Sequence, residues 1–258
     1  NIEEFGPVAN EDLRFYREQA KQLYKTGKAV LASFGGASFG DIAFVPGLDM
    51  GDPRGVRGVK EWYICHIRRP DFITQIFEYQ LHMAVENLEK IHRQVGDKVT
   101  AVFITGTDFG TQKKPIMSLA SFRKLYKPFH TRINEWVHEN TSWKTFIHSC
   151  GSVEVFIPDF IDSGFDILNP VQTSAADMDP KQLKDKYGEK MVFWGGGVDT
   201  QTVLPFGTPE QVERQVKERV EIFGKGGGFV FNTIHNVQPK IPIENVLAMY
   251  RALQSTRF

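Results

Sequence analysis

Apolar residues at helical spacing alternate along this chain with short apolar runs that favour strands. In 11–24 the apolar positions fall three or four residues apart, which predicts an amphipathic helix, and 29–34 is an apolar run closed by two glycines. The stretch 71–95 repeats the helical spacing, and 100–105 repeats the strand pattern. The first part of the chain therefore predicts two pairs of a helix followed by a strand.

The alternation continues to the end of the chain. Asp179 and Thr208 each precede a proline and are followed three residues later by a glutamine, a pattern that starts helices. The later elements that the pattern predicts are helices at 119–137, from Asp179, from Thr208 to about 223 and at 243–253, and strands at 144–148, 166–168, 191–194 and 229–231.

The stretch 37–70 has no clear period and is rich in glycine and proline, so we interpret it as a long loop. Such a loop is compatible with a substrate lid or with the contact of a homodimer. Cys65 and His66 lie within it as neighbours. On an extended segment neighbours point to opposite sides, so we expect this pair to be unrelated to metal.

Short, continuously apolar strands joined by helices predict a parallel sheet covered by helices. We predict an α/β fold, a (β/α)8 TIM barrel forming a single domain over 1–258. Six strands are predicted where a closed barrel has eight. Either two further strands lie unrecognised in the first 70 residues, or an N-terminal portion that precedes Asn1 carries them. The rival is an open, doubly wound sheet. The barrel is favoured because polar residues cluster at strand ends, which share one mouth in a barrel: Asp108, Gln112, His148, Cys150, Asn169, Gln172, Asp199 and His235.

Composition narrows the class of protein. The chain has 31 basic and 31 acidic residues, so it carries no electrostatic signature of a nucleic-acid or anionic-membrane partner. Two distant cysteines give no disulfide framework, which favours a cytoplasmic location. There is no signal-peptide pattern and no apolar run long enough to span a membrane.

The sequence Lys144-Thr-Phe-Ile-His-Ser-Cys-Gly151 carries the clearest chemistry. Positions i and i+2 at the end of a strand point the same way, so His148 and Cys150 can present a nitrogen and a sulfur to one point. Zinc favours this mixture of donors, and a catalytic zinc has three protein ligands with one position open. Two ligands leave the alternative of a buried cysteine beside a hydrogen-bonded histidine.

Four motifs together resemble the uroporphyrinogen decarboxylase superfamily, and within it most closely the zinc-dependent, corrinoid-linked methyltransferases. They are His-x-Cys-Gly at 148–151, Asp-Ile-Leu-Asn-Pro-Val-Gln at 166–172, Gly-Gly-Val-Asp at 196–199, and a last strand ending in His235 before 242–246. The resemblance runs from about Ala29 to the carboxyl end and implies a distorted TIM barrel with its site at the mouth.

The resemblance also implies a reaction. His148 and Cys150 match two zinc ligands, and His235 stands where the methyltransferases have a third, cysteine ligand; imidazole also binds zinc. The implied activity is transfer of a methyl group between a corrinoid, carried by a partner protein, and a small-molecule acceptor such as a thiol. Asp108, Gln112 and Asp199 are then candidates for catalytic or orienting roles, and Asn169 and Gln172 for substrate binding. Capping and turn formation are the structural alternatives for these polar residues.

Two other functions stay open. A metal-free decarboxylase acting on a polycarboxylate would need converging arginines, for which the candidates are Arg54, Arg57, Arg68 and Arg69. A non-catalytic tetrapyrrole-binding module would need a broad apolar cleft, for which the candidates are Phe34, Phe39, Phe44, Trp62 and Tyr63. The decarboxylases do not carry His-x-Cys-Gly, which ranks methyl transfer above decarboxylation.

Overall fold

The computed structural model describes residues 5–34, 39–41, 56 and 58–256. Its helices are α1 (Asn10–Tyr24), α2 (Val59–Arg68), α3 (Pro70–Val95), α4 (Leu119–Leu125), α5 (Lys127–Asn140), α6 (Ile157–Asp162), α7 (Pro180–Tyr187), α8 (Val203–Phe206), α9 (Pro209–Gly224) and α10 (Ile243–Ser255). Its strands are β1 (Leu31–Ala32), β2 (Ala101–Thr105), β3 (Lys144–His148), β4 (Ile167–Asn169), β5 (Val192–Trp194) and β6 (Phe229–Val230).

The chain divides into two compact units. The first unit takes its described residues from Asn1–Asp108, Met117–Ile147 and Pro158–Phe165, and the second from Phe109–Ile116, His148–Ile157 and Asp166–Phe258. The interpretation as a single domain stays a prediction.

In the first unit, β1, β2 and β3 pair in parallel and in chain order. The middle of β3 is buried and β2 is buried along most of its length, as strands covered by helices are. Helix α3 packs against α1, α2 and α5. Its buried face, which includes Ile73, Phe77 and Leu81, follows the helical period that predicted it.

In the second unit, β4, β5 and β6 also pair in parallel and in chain order. Helices α9 and α10 pack together over a buried apolar cluster: Val198, Leu204, Val212, Val216, Val220, Ala248, Met249 and Ala252. The predicted caps are confirmed. The side chain of Asp179 accepts a hydrogen bond from the backbone N–H of Gln182 at 2.8 Å, and Thr208 forms a capping box with Gln211.

All six predicted strands are present in the described residues, each within about two positions of the predicted bounds. The three strands within each unit are parallel and follow the chain order. A doubly wound sheet instead reverses its strand order at a switch point. The α/β class is therefore confirmed, and closure into eight strands stays a prediction. None of the described helices is both long and apolar enough to span a lipid bilayer.

Two predictions of local structure need correction. The predicted helix 119–137 is two helices, α4 and α5, because Pro128 stands in the first turn of α5 and cannot continue a preceding helix. The predicted loop 37–70 lies partly outside the described residues, but its last third is helix α2. There Trp62, Cys65 and His66 are buried at helical spacing. The glycines and prolines that precede this short helix masked its period.

Candidate metal centre

His148 and Cys150 face each other at the end of β3. The two side chains are half-buried, and His148 Nε2 lies 3.4 Å from Cys150 Sγ. The alternation of a strand end brings them to one side, as the sequence predicted. Both cysteines of the chain are thiols outside any disulfide, so Cys150 can supply a sulfur ligand.

The orientation of the His148 ring is fixed by Asn169, the last residue of β4. Asn169 Nδ2 donates to the carbonyl oxygen of Trp194 at 2.9 Å, and Asn169 Oδ1 lies 2.7 Å from His148 Nδ1. A carbonyl oxygen can only accept, so the amide must point its own oxygen at the histidine. His148 therefore carries its proton on Nδ1 and presents the lone pair of Nε2 towards Cys150.

A close crossing of two backbone segments forms the turn after Cys150. Gly151 has φ +91°, and a Cβ there would overlap the backbone of Gly110, while a Cβ on Gly110 would lie 2.6 Å from Ser152 N. Two hydrogen bonds fasten the crossing, from Phe109 N to Ser149 Oγ at 2.9 Å and from Ser152 N to the Thr111 carbonyl at 2.8 Å. Glycine is needed at 151 both for its positive φ and for this approach.

A relay of carboxamides supports the same turn. Gly151 N donates to Gln172 Oε1 at 2.7 Å, Gln172 Nε2 donates to Gln112 Oε1, and Gln112 Nε2 donates to Gln201 Oε1. Gln172 is buried, whereas Gln112 and Gln201 are exposed. The relay therefore links the backbone next to Cys150 to two polar groups at the surface. Gln201 has no counterpart among the residues that the sequence singled out.

Asp199 accepts a hydrogen bond from Gln201, the last member of this relay. Gln201 N donates to Asp199 Oδ1 at 2.7 Å, and Thr202 Oγ1 donates to Asp199 Oδ2. The backbone N–H of Asp199 in turn donates to Gln215 Oε1 at 2.8 Å. Both carboxylate oxygens thus organise the turn after β5, the capping arrangement that the sequence left as the alternative.

A catalytic zinc needs a third protein ligand besides His148 and Cys150. His235 lies exposed in the loop after β6, where the hydroxyl of Thr233 donates to its carbonyl at 2.6 Å. Among the described residues, no group of three potential metal ligands contains His235. Asp108 is bonded directly to Phe109, whose N–H is held by Ser149 between the two ligands.

The donor pair fits zinc. With bonds of about 2.0–2.1 Å to nitrogen and 2.3 Å to sulfur, tetrahedral zinc separates the two donors by roughly 3.6 Å. The observed separation of 3.4 Å between Nε2 and Sγ is close to this value. Nitrogen and sulfur donors select zinc over the hard cations magnesium and calcium.

The first unit holds a second set of polar groups, of which the sequence reasoning missed Asp41 and gave Tyr63 only as a candidate for lining an apolar cleft. Burial raises the pKa of the Tyr63 phenol, and the nearby carboxylates of Asp108 and Asp41 raise it further. Asp41 is itself buried, beside Gly106, where a Cβ would lie 2.6 Å from Asp41 Oδ2. The available signal was an acidic residue following Gly40 inside a hydrophobic stretch, which the irregular pattern of 37–70 obscured.

Comparison with known protein sequences points to one family. The sequence model of the family "Uroporphyrinogen decarboxylase (URO-D)" matches residues 3–256. Uroporphyrinogen decarboxylase from Geobacter sulfurreducens is 23% identical over 259 residues, covering 94% of this chain and 66% of the relative. The same protein from Coxiella burnetii is 31% identical over 74 residues, which are 29% of this chain and 20% of that one. The chain thus spans less than two thirds of the length of these relatives.

Comparison with solved structures shows the fold. A methyltransferase from Methanosarcina mazei superposes with a TM-score of 0.63 at 19% sequence identity, and the match covers 96% of this chain and 67% of the methyltransferase. At this identity the likeness shows a common fold and leaves the reaction open.

Proposed function

Because this chain belongs to the uroporphyrinogen decarboxylase family, we propose that it is a zinc-dependent methyltransferase that moves a methyl group between a corrinoid carrier and a thiol or similar acceptor. The observation that carries the proposal is the His148–Cys150 pair, with Nε2 and Sγ 3.4 Å apart. The methyltransferase from Methanosarcina mazei, which shares the fold, is consistent with this branch of the family.

The residues of the chain have separate roles in this proposal. His148 and Cys150 would hold the zinc, which would act as a Lewis acid and lower the pKa of a substrate thiol. Asn169 holds the His148 ring, and Gln172 holds the backbone at Gly151. Gln112 is the exposed member of the predicted catalytic set, so we assign it to contact with substrate. Asp199 shapes the adjacent turn through its bonds to Gln201 and Thr202.

The partner is proposed from the same reaction. A methyl group on a corrinoid must be presented at the open side of the site, and we propose that a separate corrinoid protein presents it there. The acceptor is a small molecule with a thiol or a similar nucleophile.

Asp108 and His235 are the two candidates for the third ligand. Asp108 is favoured because its neighbour Phe109 is bonded to Ser149, between the two other ligands, and because a carboxylate is an accepted zinc ligand. His235 is exposed, but the residues before it, Thr233 and Ile234, are buried, so its use as a ligand would require this packed loop to rearrange. Asp108→Ala and His235→Ala distinguish these candidates.

The deciding experiment measures metal content by mass spectrometry and methyl transfer from methylcobalamin to a thiol. We expect about one zinc per chain in the wild type and less than about a tenth of that in His148→Ala and Cys150→Ala. Cys65→Ala is the matched control, because it removes the other thiol, and it should keep its zinc. A wild type that stays metal-free when zinc is supplied would refute the proposal.

Decarboxylation is the second candidate, because the relatives from Geobacter and Coxiella are named as uroporphyrinogen decarboxylases. The structure gives little support to a role for the candidate arginines in this reaction. Arg68 and Arg69 are exposed, and Arg54 and Arg57 lie outside the described residues. Release of carbon dioxide from uroporphyrinogen by metal-free protein, with no methyl transfer, would favour this function. A purely tetrapyrrole-binding cleft is less favoured, since Phe39 and Trp62 are fully buried.

A further inference from the structure

We infer that Asn169 is a positioning residue that selects the metal-binding tautomer of His148. The inference rests on the proposed function for the identity of the metal, but its geometric part concerns the protein alone. Asn169 stands at the end of β4 and bonds two different elements through the two ends of one carboxamide. The sequence suggested a substrate-binding role for this residue.

The Trp194 carbonyl fixes the direction of the Asn169 amide. Trp194 contributes a backbone carbonyl, which accepts and cannot donate, and it lies 2.9 Å from Asn169 Nδ2. Reversing the amide would place two oxygens against each other there and two nitrogens against each other at His148. Glycine at 195, with φ +109°, lets the backbone after Trp194 turn while its neighbour's carbonyl stays on Asn169.

The direction of the amide determines the tautomer of the imidazole. With Asn169 Oδ1 accepting at 2.7 Å, a neutral His148 carries its hydrogen on Nδ1. A free neutral imidazole exchanges between two tautomers, and only the one with hydrogen on Nδ1 offers Nε2 to a metal held beside Cys150 Sγ. Asn169 thus removes the competing tautomer and fixes the plane of the ring, as the outer partners of metal-bound histidines do.

The two ends of the Asn169 carboxamide have different roles. The oxygen sets the tautomer, whereas the nitrogen only anchors the side chain to Trp194. Asn169→Asp keeps an oxygen for His148 Nδ1–H and loses the anchor. Asn169→Leu keeps a similar volume and loses both. These two variants therefore separate the positioning role from packing.

The experiment has two readouts. In metal-free protein at about pH 8, labelled with ¹⁵N-histidine, long-range ¹H–¹⁵N spectra report the tautomer of each ring, and His148→Gln assigns the relevant signal. We expect hydrogen on Nδ1 in the wild type and in Asn169→Asp, and a mixture in Asn169→Leu. In a chelator competition with zinc alone, we expect Asn169→Leu to bind about 10–100-fold more weakly and Asn169→Asp within about tenfold of the wild type.

A matched control is available in Asn245. Its buried side chain also bridges backbone, donating to the carbonyl oxygens of Leu204 and Gly207 at 2.9 Å each. Asn245→Ala should lower stability and leave zinc affinity and the His148 tautomer unchanged. Hydrogen on Nε2 of His148 in the wild type, or wild-type zinc affinity in Asn169→Leu, would overturn the inference. If the wild type shows the expected tautomer but binds no zinc, the proposed function fails while the positioning of the ring stands.

Discussion

Two pairs of cysteine and histidine occur in this chain, and the structure holds them in different ways. Cys65 and His66 are neighbours on α2 and are both buried, whereas His148 and Cys150 lie two positions apart at a strand end and are half-buried. The His66 ring is satisfied at both nitrogens: Nδ1 donates to the Trp62 carbonyl at 2.8 Å, and Nε2 accepts from the Tyr126 hydroxyl at 2.6 Å.

The His148 ring also has a partner at both nitrogens, but the partner of its Nε2 is a thiol rather than a hydroxyl. Its Nδ1 donates to Asn169, and its Nε2 faces Cys150 Sγ at 3.4 Å. The presence of one cysteine and one histidine therefore does not distinguish a structural pair from a metal-binding pair. What separates them is the group opposite Nε2 and the access that solvent has to the sulfur.

The largest expected difference is in the chemical reactivity of the two thiols. In native, metal-free protein we expect iodoacetamide to modify Cys150 at least ~100-fold faster than Cys65, because Cys65 is only 5% exposed and reacts only when its surroundings open. Peptide mass spectrometry over a time course measures both rates.

Zinc and unfolding provide the controls for this reaction. Added zinc should protect Cys150 and leave Cys65 unchanged, and denaturant should make the two thiols react alike. Equal modification rates in the native protein would show that Cys65 is as accessible as Cys150. That result would contradict the difference between the two pairs.

The next effect concerns stability. His66→Ala should lower the free energy of unfolding by about 2–4 kcal/mol, because it leaves a cavity and takes the acceptor from the buried Tyr126 hydroxyl. Its zinc content should not change. His148→Ala should show the opposite pattern, with loss of zinc and a cost below about 1 kcal/mol in the metal-free protein. Urea unfolding combined with metal analysis measures both.

Tyr126→Phe serves as the control for the hydroxyl. It should cost less than His66→Ala, since the histidine still donates to Trp62 and no cavity forms. Loss of zinc in His66→Ala would contradict the assignment of that pair to structure alone.

The buried histidines of the first unit also predict a dependence on pH. Burial lowers the pKa of His66, and burial lowers the pKa of His130 to about 3. In the unfolded chain both rings take up protons near pH 6.5, so the unfolded state binds more protons below that value and stability falls as the pH falls. For His130 the loss is about 1.4 kcal/mol at pH 5.5, and it grows until the pH approaches 3.

His130→Phe removes this titration while preserving a ring among Phe39, Phe122 and Phe165. The difference in unfolding free energy between about pH 7.5 and 5.5 should therefore shrink by about 1.4 kcal/mol in the variant. An unchanged difference would show that His130 is not the group responsible.

The strand ends of the second unit were predictable because their signals are local. Period, glycine and the i, i+2 rule placed His148, Cys150, Asn169 and Gln172 at or just after strand ends. In the structure, hydrogen bonds join His148 to Asn169 and to Cys150, and Gln172 accepts from the backbone of Gly151. The roles within that group were not predictable. Whether the Asn169 amide faces substrate or ring depends on the Trp194 carbonyl, which is 25 residues away in the sequence.

In the first unit, the local sequence pattern did not predict the surroundings of Cys65 and His66. Cys65 and His66 were expected on an extended segment, but the helix α2 buries them, and the contact between His66 and Tyr126 spans 60 residues. Asp41 was missed for the same reason, and Tyr63 was considered only as part of an apolar cleft. Contacts between residues so far apart in the chain produce no periodic pattern in the sequence.

The smallest expected effect tests how the turn beside Cys150 is supported. In Gln172→Glu, one carboxylate oxygen still accepts from the buried N–H of Gly151, while the other faces the oxygen of Gln112. Gln112 can then reverse its amide and donate, and the exposed Gln201 can reverse in turn, so the relay adapts. We expect a cost of about 0.5 kcal/mol and little loss of zinc affinity. Gln172→Leu cannot accept from Gly151 and should cost about 1–2 kcal/mol with a measurable loss of zinc affinity. Equal effects of the two variants in urea unfolding and zinc titration would mean that the volume of Gln172, rather than its oxygen, holds the turn.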